Sequence, residues 1–151
     1  VEVNGIFVEG LGKGTFLFEG AEALCRELHR HCKLYLATNG ISKAQRARLA
    51  GSALQPYFSG LFISEELGAK TPQPEYFEAV LTQLGKGADP RRILMVGDRL
   101  TADIAGAAAA GLDSCWYNPA QVKNSTVIVP TYEVKSFDEI KAVILPQPCQ
   151  K

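Results

Sequence analysis

The sequence predicts a doubly wound α/β fold built on a parallel sheet. Three observations carry that expectation. Short apolar runs alternate with segments of helical periodicity along most of the chain. The runs are continuously apolar, as strands covered on both faces are. Polar clusters fall where those runs stop, and the carboxyl ends of strands are where such sheets bind ligands.

Taken in order, GAEALCRELHRHC (20–32) sets Ala21, Leu24, Cys25 and Leu28 at helical spacing. KLYLATNG (33–40) is a short apolar run stopped by Asn-Gly, the pattern of a buried strand entering a turn. ISKAQRARLAGSAL (41–54) reads as a helix capped by Ser42. GLFISEE (60–66) is a second strand. EYFEAVLTQLG (75–85) is a helix with Tyr76, Phe77, Val80, Leu81 and Leu84 on one face. RRILMVGD (91–98) is a third strand, TADIAGAAAAG (101–111) a small-residue helix, and DSCWYNP (113–119) a fourth strand. VIVPTYEV (127–134) precedes a last helix. There Ser136 and Glu139 form a capping box, Phe137, Ile140 and Ile144 share a face, and Pro146 ends the element.

Composition narrows the function. A chain of 151 residues, 46% hydrophobic and 21% charged, fits one ordinary domain with a real core. Lys+Arg and Asp+Glu are both 16, so the formal net charge is zero, which argues against a nucleic-acid or membrane-surface partner. No apolar run reaches membrane-span length, and the opening residues carry no signal-peptide pattern; the expected setting is the cytoplasm. Cys25, Cys32, Cys115 and Cys149 make no metal-binding spacing and read as reduced thiols, with Cys25 and Cys32 on one helix face. His29 and His31 sit at a charged helix end and read as solvated surface.

Three polar clusters fall at predicted strand ends. Thr38-Asn39-Gly40 ends the first strand. Asp98 ends the third, with Asp103 in the first turn of the helix after it. Lys70 lies between the second strand and its helix, ahead of a Pro-rich turn. Paired carboxylates suit Mg²⁺, which takes oxygen ligands and keeps several waters. A hydroxyl beside the free N–H groups of a turn suits phosphate oxygens. A lysine ammonium neutralises phosphate charge. Together they make a phosphoryl-transfer site, in which catalysis is positioning and charge stabilisation. Singly, each has a bland reading: an acid at a helix start, a surface lysine, a threonine in a turn. Asp98 is the hardest to dismiss, because a carboxylate directly after ILMVG needs a partner.

These residues resemble the haloacid dehalogenase superfamily of Mg²⁺-dependent phosphatases. LATNG is similar to its second motif, Lys70 followed by TPQPEYF to its K-P-x-P-x-x-F third motif, and VGDRLTAD to its acidic fourth motif. GDRLTADIAGAAAAGLDSCWYNP, FISEELGAKTPQPEYF and PTYEVKSFDEI resemble the bacterial branch of pyrimidine 5′-nucleotidases. The resemblance implies a Rossmann-like core over residues 17–151 and hydrolysis of nucleoside 5′-monophosphates through an aspartyl-phosphate. It implies Mg²⁺ on Asp98 and Asp103. It implies phosphate on Thr38, Asn39, Gly40 and Lys70, with Thr38 and Lys70 as the catalytic residues present. Asn39 also has a backbone reading, setting the turn.

The family's first motif, D-x-D-G-T, is absent. Its first Asp is the nucleophile and its second the acid/base, yet the first aspartate of this chain is Asp89. The chain therefore reads as the carboxyl-terminal part of a longer enzyme, inactive alone, with residues 1–16 the end of a cap domain. In the family's sheet the missing strand lies between the strands ending at Thr38 and Asp98. Two unpaired buried edges are costly, so something is expected to fill the gap. The candidates are the segment around Gly5 to Val8, a second copy of the chain, or the missing piece held non-covalently. A phosphatase or mutase for sugar phosphates or phosphoglycolate would share every motif here. A haloalkanoic acid dehalogenase would need no metal. A non-catalytic receiver-like module would order its acids before its lysine and threonine, which this chain does not.

Overall fold

The computed structural model describes residues 5–8, 12–13, 16–17 and 20–145. A six-stranded sheet forms the centre, in the order β5 (Phe58–Ile63), β4 (Lys33–Thr38), β1 (Gly5–Val8), β6 (Ile93–Gly97), β7 (Asp113–Tyr117), β8 (Tyr132–Val134). All five pairings are parallel. Two short strands, β2 (Gly12–Lys13) and β3 (Phe16–Leu17), pair antiparallel apart from it.

The gap expected between the strands ending at Thr38 and Asp98 is filled by the chain itself. Ile6 stands opposite Leu34 on one side and Leu94 on the other, and Val8 opposite Leu36 and Val96. Residues 5–8 pair here with the core sheet on both sides. The physical reason is the ladder: without a strand there, β4 and β6 would each leave a row of backbone groups unpaired.

β6 shows why the sheet is covered on both faces. All five of its residues are buried, and their side chains alternate between two cores. Leu94 and Val96 join Leu24, Cys25 and Leu28 of α1 (Ala21–Leu28) and Ile140 and Ile144 of α6 (Phe137–Ile144). Ile93 and Met95 join Tyr76, Phe77 and Val80 of α4 (Pro74–Leu84) and Ala107 of α5 (Ala105–Ala109). Each of these four helices turns buried apolar residues to the sheet.

Several elements differ from the sequence reading. The helix expected from Ser42 is α2 (Ser42–Ala50), but Ile41 is its cap residue and no side chain caps it; the Ser42 hydroxyl donates to Glu66 Oε1 at 2.8 Å instead. Ser64 to Leu67 form a helical turn, α3, so the second strand stops at Ile63. Of 127–134 only Tyr132–Val134 is strand, with Val127 and Val129 exposed. The helix expected from Thr101 opens as a π-helical turn, Leu100–Ile104. Cys32 lies past the end of α1, its thiol donating to Leu28 O at 3.3 Å. Ser136 caps α6 by accepting from the Glu139 N–H at 3.2 Å, while Glu139 reaches past the cap to the Lys135 N–H at 2.6 Å, where a capping box would take the Ser136 N–H. His29 and His31 are exposed. Cys149 and Pro146 lie outside the described residues. No described helix is long and apolar enough to cross a membrane.

Candidate active site

The site lies at the carboxyl ends of β4, β1 and β6, where the parallel sheet points its strand tips the same way. Thr38 is the last residue of β4, and Asp98 follows the last residue of β6. β1 enters between them and leads into residues outside the described set.

The acidic side is built around one buried carboxylate. Asp103 is 0% exposed. The π-helical turn brings it back under the strand tip: the Ala102, Asp103 and Ile104 N–H groups all donate to Arg99 O, at 3.2, 2.9 and 3.4 Å. Asp103 Oδ2 accepts the Arg99 N–H at 3.3 Å, while Oδ1 is buried with no partner. Gly97 makes room for it; a Cβ there would sit 2.5 Å from Asp103 Oδ2. Asp98 stands at the mouth, its carbonyl oxygen accepting from the Trp116 indole N–H at 3.2 Å. Partial burial pushes the Asp98 carboxyl above the usual aspartate range, and the Asp103 carboxylate adds to the push.

On the other side, Thr38 makes only a long 3.5 Å contact to Asn39 O, so its hydroxyl is available to a ligand. Gly40 is not: its N–H donates to Ser64 Oγ at 2.9 Å. The Asn39 carboxamide is also spent. Its Nδ2 donates to Thr71 Oγ1 at 2.9 Å, and its Oδ1 accepts the Thr71 N–H at 3.1 Å. Asn39 thus ties the β4 turn to the loop that carries Lys70. Lys70 itself is exposed and in no ion pair among the described residues.

Thr38 and Asp98 thus stand at the same carboxyl edge of the sheet on either side of β1, Asp103 lies beneath the tip of β6, and Lys70 is exposed on the loop tied to the Thr38 turn. Sequence reasoning missed Ser64, Thr71 and Trp116. Only Thr71 left a trace, as the residue standing between Lys70 and Pro72 where the third motif has none.

The donor set fits a hard divalent cation. Two carboxylates lie close enough to repel, neither is in an ion pair among the described residues, and the buried Asp103 Oδ1 has no hydrogen-bond partner there. Among the described residues no group of three His, Cys, Asp or Glu gathers for a metal. A pair of carboxylates suits Mg²⁺, which is held by one or two carboxylates plus waters and substrate phosphate.

A parallel sheet with this acid pair and strand-end threonine defines a class, and a family model described as haloacid dehalogenase-like hydrolase matches residues 2–111. The chain belongs to that family. It is 45% identical over 128 residues to the pyrimidine 5′-nucleotidase PynA of Streptococcus pneumoniae, covering 85% of this chain and 54% of that protein. It is 34% identical over 143 residues to the pyrimidine 5′-nucleotidase YjjG of Escherichia coli, covering 95% and 63%. A crystal structure of the HAD-hydrolase YfnB of Bacillus subtilis, described as bound to magnesium, superposes with a TM-score of 0.81 at 40% identity, covering 85% of this chain and 56% of that one. The chain spans a little over half the length of these relatives.

Proposed function

We propose that this chain supplies the metal-binding and phosphate-binding half of a cytoplasmic, Mg²⁺-dependent phosphatase for nucleoside 5′-monophosphates. The observation that carries the reading is the Asp98–Asp103 pair at the tip of β6, with one fully buried oxygen awaiting a partner. Asp98 and Asp103 hold the ion, directly or through water. Bound Mg²⁺ would offset the negative charge of the phosphate and of its transition state. Thr38 donates its hydroxyl to a phosphate oxygen. Asn39 and Gly40 shape the turn that presents it, their polar groups being committed to Thr71 and Ser64. Lys70 meets the phosphate from the solvent side.

The choice of a nucleotide over another phosphate ester rests on the two 5′-nucleotidase relatives. Neither the nucleophile nor the acid/base is in the sequence, which has no Asp-x-Asp. In a longer polypeptide residues 1–16 end the cap, and the place of β1 passes to the strand bearing the nucleophile.

The test is phosphate release from UMP, dUMP and dTMP in Mg²⁺. The 151 residues should give none. A chimera joining the amino-terminal half of one of the nucleotidase relatives to residues 17–151 should turn over, and Asp98→Asn should abolish it. Turnover by the 151 residues alone would overturn the assignment of the nucleophile to a missing strand.

A further inference from the structure

The two neighbours at the head of the proline loop have opposite surroundings. Thr71 is 5% exposed and held by Asn39 through both its hydroxyl and its N–H. Lys70 is exposed, with its backbone N–H on Gln73 Oε1 at 3.0 Å. The sequence agrees with the geometry. Pro72-Gln73-Pro74-Glu75-Tyr76-Phe77 fits P-x-P-x-x-F residue for residue, and the position before it, where the pattern has lysine, is Thr71.

Across from this loop stands the turn that carries Asp103. The two are in contact: a Cβ on Gly106, one turn beyond Asp103, would lie 3.2 Å from Pro72 Cα. Asp103 Oδ1 is buried there with no partner. Thr71 carries no ammonium and its hydroxyl is held by Asn39, while Lys70 is exposed to solvent.

We infer that Thr71, not Lys70, is the inward position of this loop, and that Asp103 is left without a lysine partner among the described residues. Lys70 acts only at the solvent side of the site, and the charge of Asp103 is left for a cation from solution. A buried carboxylate oxygen without a donor is costly, so an ammonium placed at position 71 relieves a cost that one at position 70 does not.

Double-mutant cycles on urea unfolding of the 151-residue chain test this, because residues in contact couple and separated ones add. Lys70→Gln and Asp103→Asn should combine additively, within about two-fold in the unfolding constant. In the swapped background, Lys70→Thr with Thr71→Lys, Asp103→Asn should couple to the new lysine by more than that. Coupling in the unswapped chain, or none in the swap, would overturn the inference. Where the swap does not fold, acetylation of the original chain decides. Lys70 should react as fast as exposed Lys43, with no change on Asp103→Asn; a Lys70 protected until Asp103 is neutralised would contradict the inference. Neither measurement needs turnover, so each fails or succeeds apart from the phosphatase reading.

Discussion

Gly97 lacks a side chain because Asp103 stands where one would go. An added Cβ would meet Asp103 Oδ2 at 2.5 Å and its Cβ at 2.7 Å, and the buried acid has no slack to retreat. Gly97→Ala should cost about 1–3 kcal/mol, the usual range for overpacking, read as a lower urea midpoint with an unchanged slope. An unshifted midpoint would mean the turn yields. At this scale the sequence spoke unevenly. Thr38, Asp98 and Asp103 were legible because each sits at a strand tip or in the turn directly after one. The Asn39–Thr71 clamp was not, because it joins residues 32 positions apart and no local pattern encodes it. Lys70 was marked by its charge and its place ahead of Pro72, and in the structure it is exposed while its neighbour Thr71 is buried.

The elements between the two cores show where local chemistry is enough. α6 was readable at its start because the Ser136 and Glu139 side chains take up the Glu139 and Lys135 N–H groups within one turn. Ser42 looked like the same signal, yet its hydroxyl is taken by Glu66 across the fold. The π-helical turn could not be read from TADIAG, since its cause is the tertiary demand that Asp103 tuck beneath Gly97. Cys25 on α1 and Cys115 on β7 face the same core. Burial pushes both thiols up to about 12 from 9.0, with Glu139 adding to the shift at Cys115. Each keeps its proton in the folded chain at pH values where the unfolded chain has lost it. Their contribution to stability is therefore whole below pH 9, falls as pH rises from 9, and is gone above about 12. Urea midpoints across that window should fall less steeply for Cys25→Ala than for the parent chain. Alkylation of both thiols at pH 8 should be slow until denaturant is added. Rapid labelling of the native chain would contradict this burial.

At the scale of the molecule, one four-residue strand makes the sheet continuous. β1 pairs with β4 and β6 at once, so every backbone group it offers has a neighbour on one side or the other. Phe7→Pro removes an N–H from that ladder and leaves a carbonyl of a neighbouring strand without its donor, at a cost of about 1–3 kcal/mol. The expected readout is a clear drop in the urea midpoint; an unchanged midpoint would mean the sheet does not depend on β1. The alternation of strand and helix, and the need for a filler between the strands ending at Thr38 and Asp98, were both legible. Which segment filled it was not, because GIFV carries too little sequence to distinguish a core strand from the edge of a cap.

The central claim is that the acids at the tip of β6 hold Mg²⁺ where a phosphate would meet it. Calorimetric titration of the 151-residue chain with Mg²⁺, beside Asp98→Asn and Asp103→Asn, tests it most directly. Saturable binding by the parent chain, lost in Asp98→Asn and weakened in Asp103→Asn, is the predicted result. Undiminished affinity in Asp98→Asn, or no binding by the folded parent chain, would contradict it.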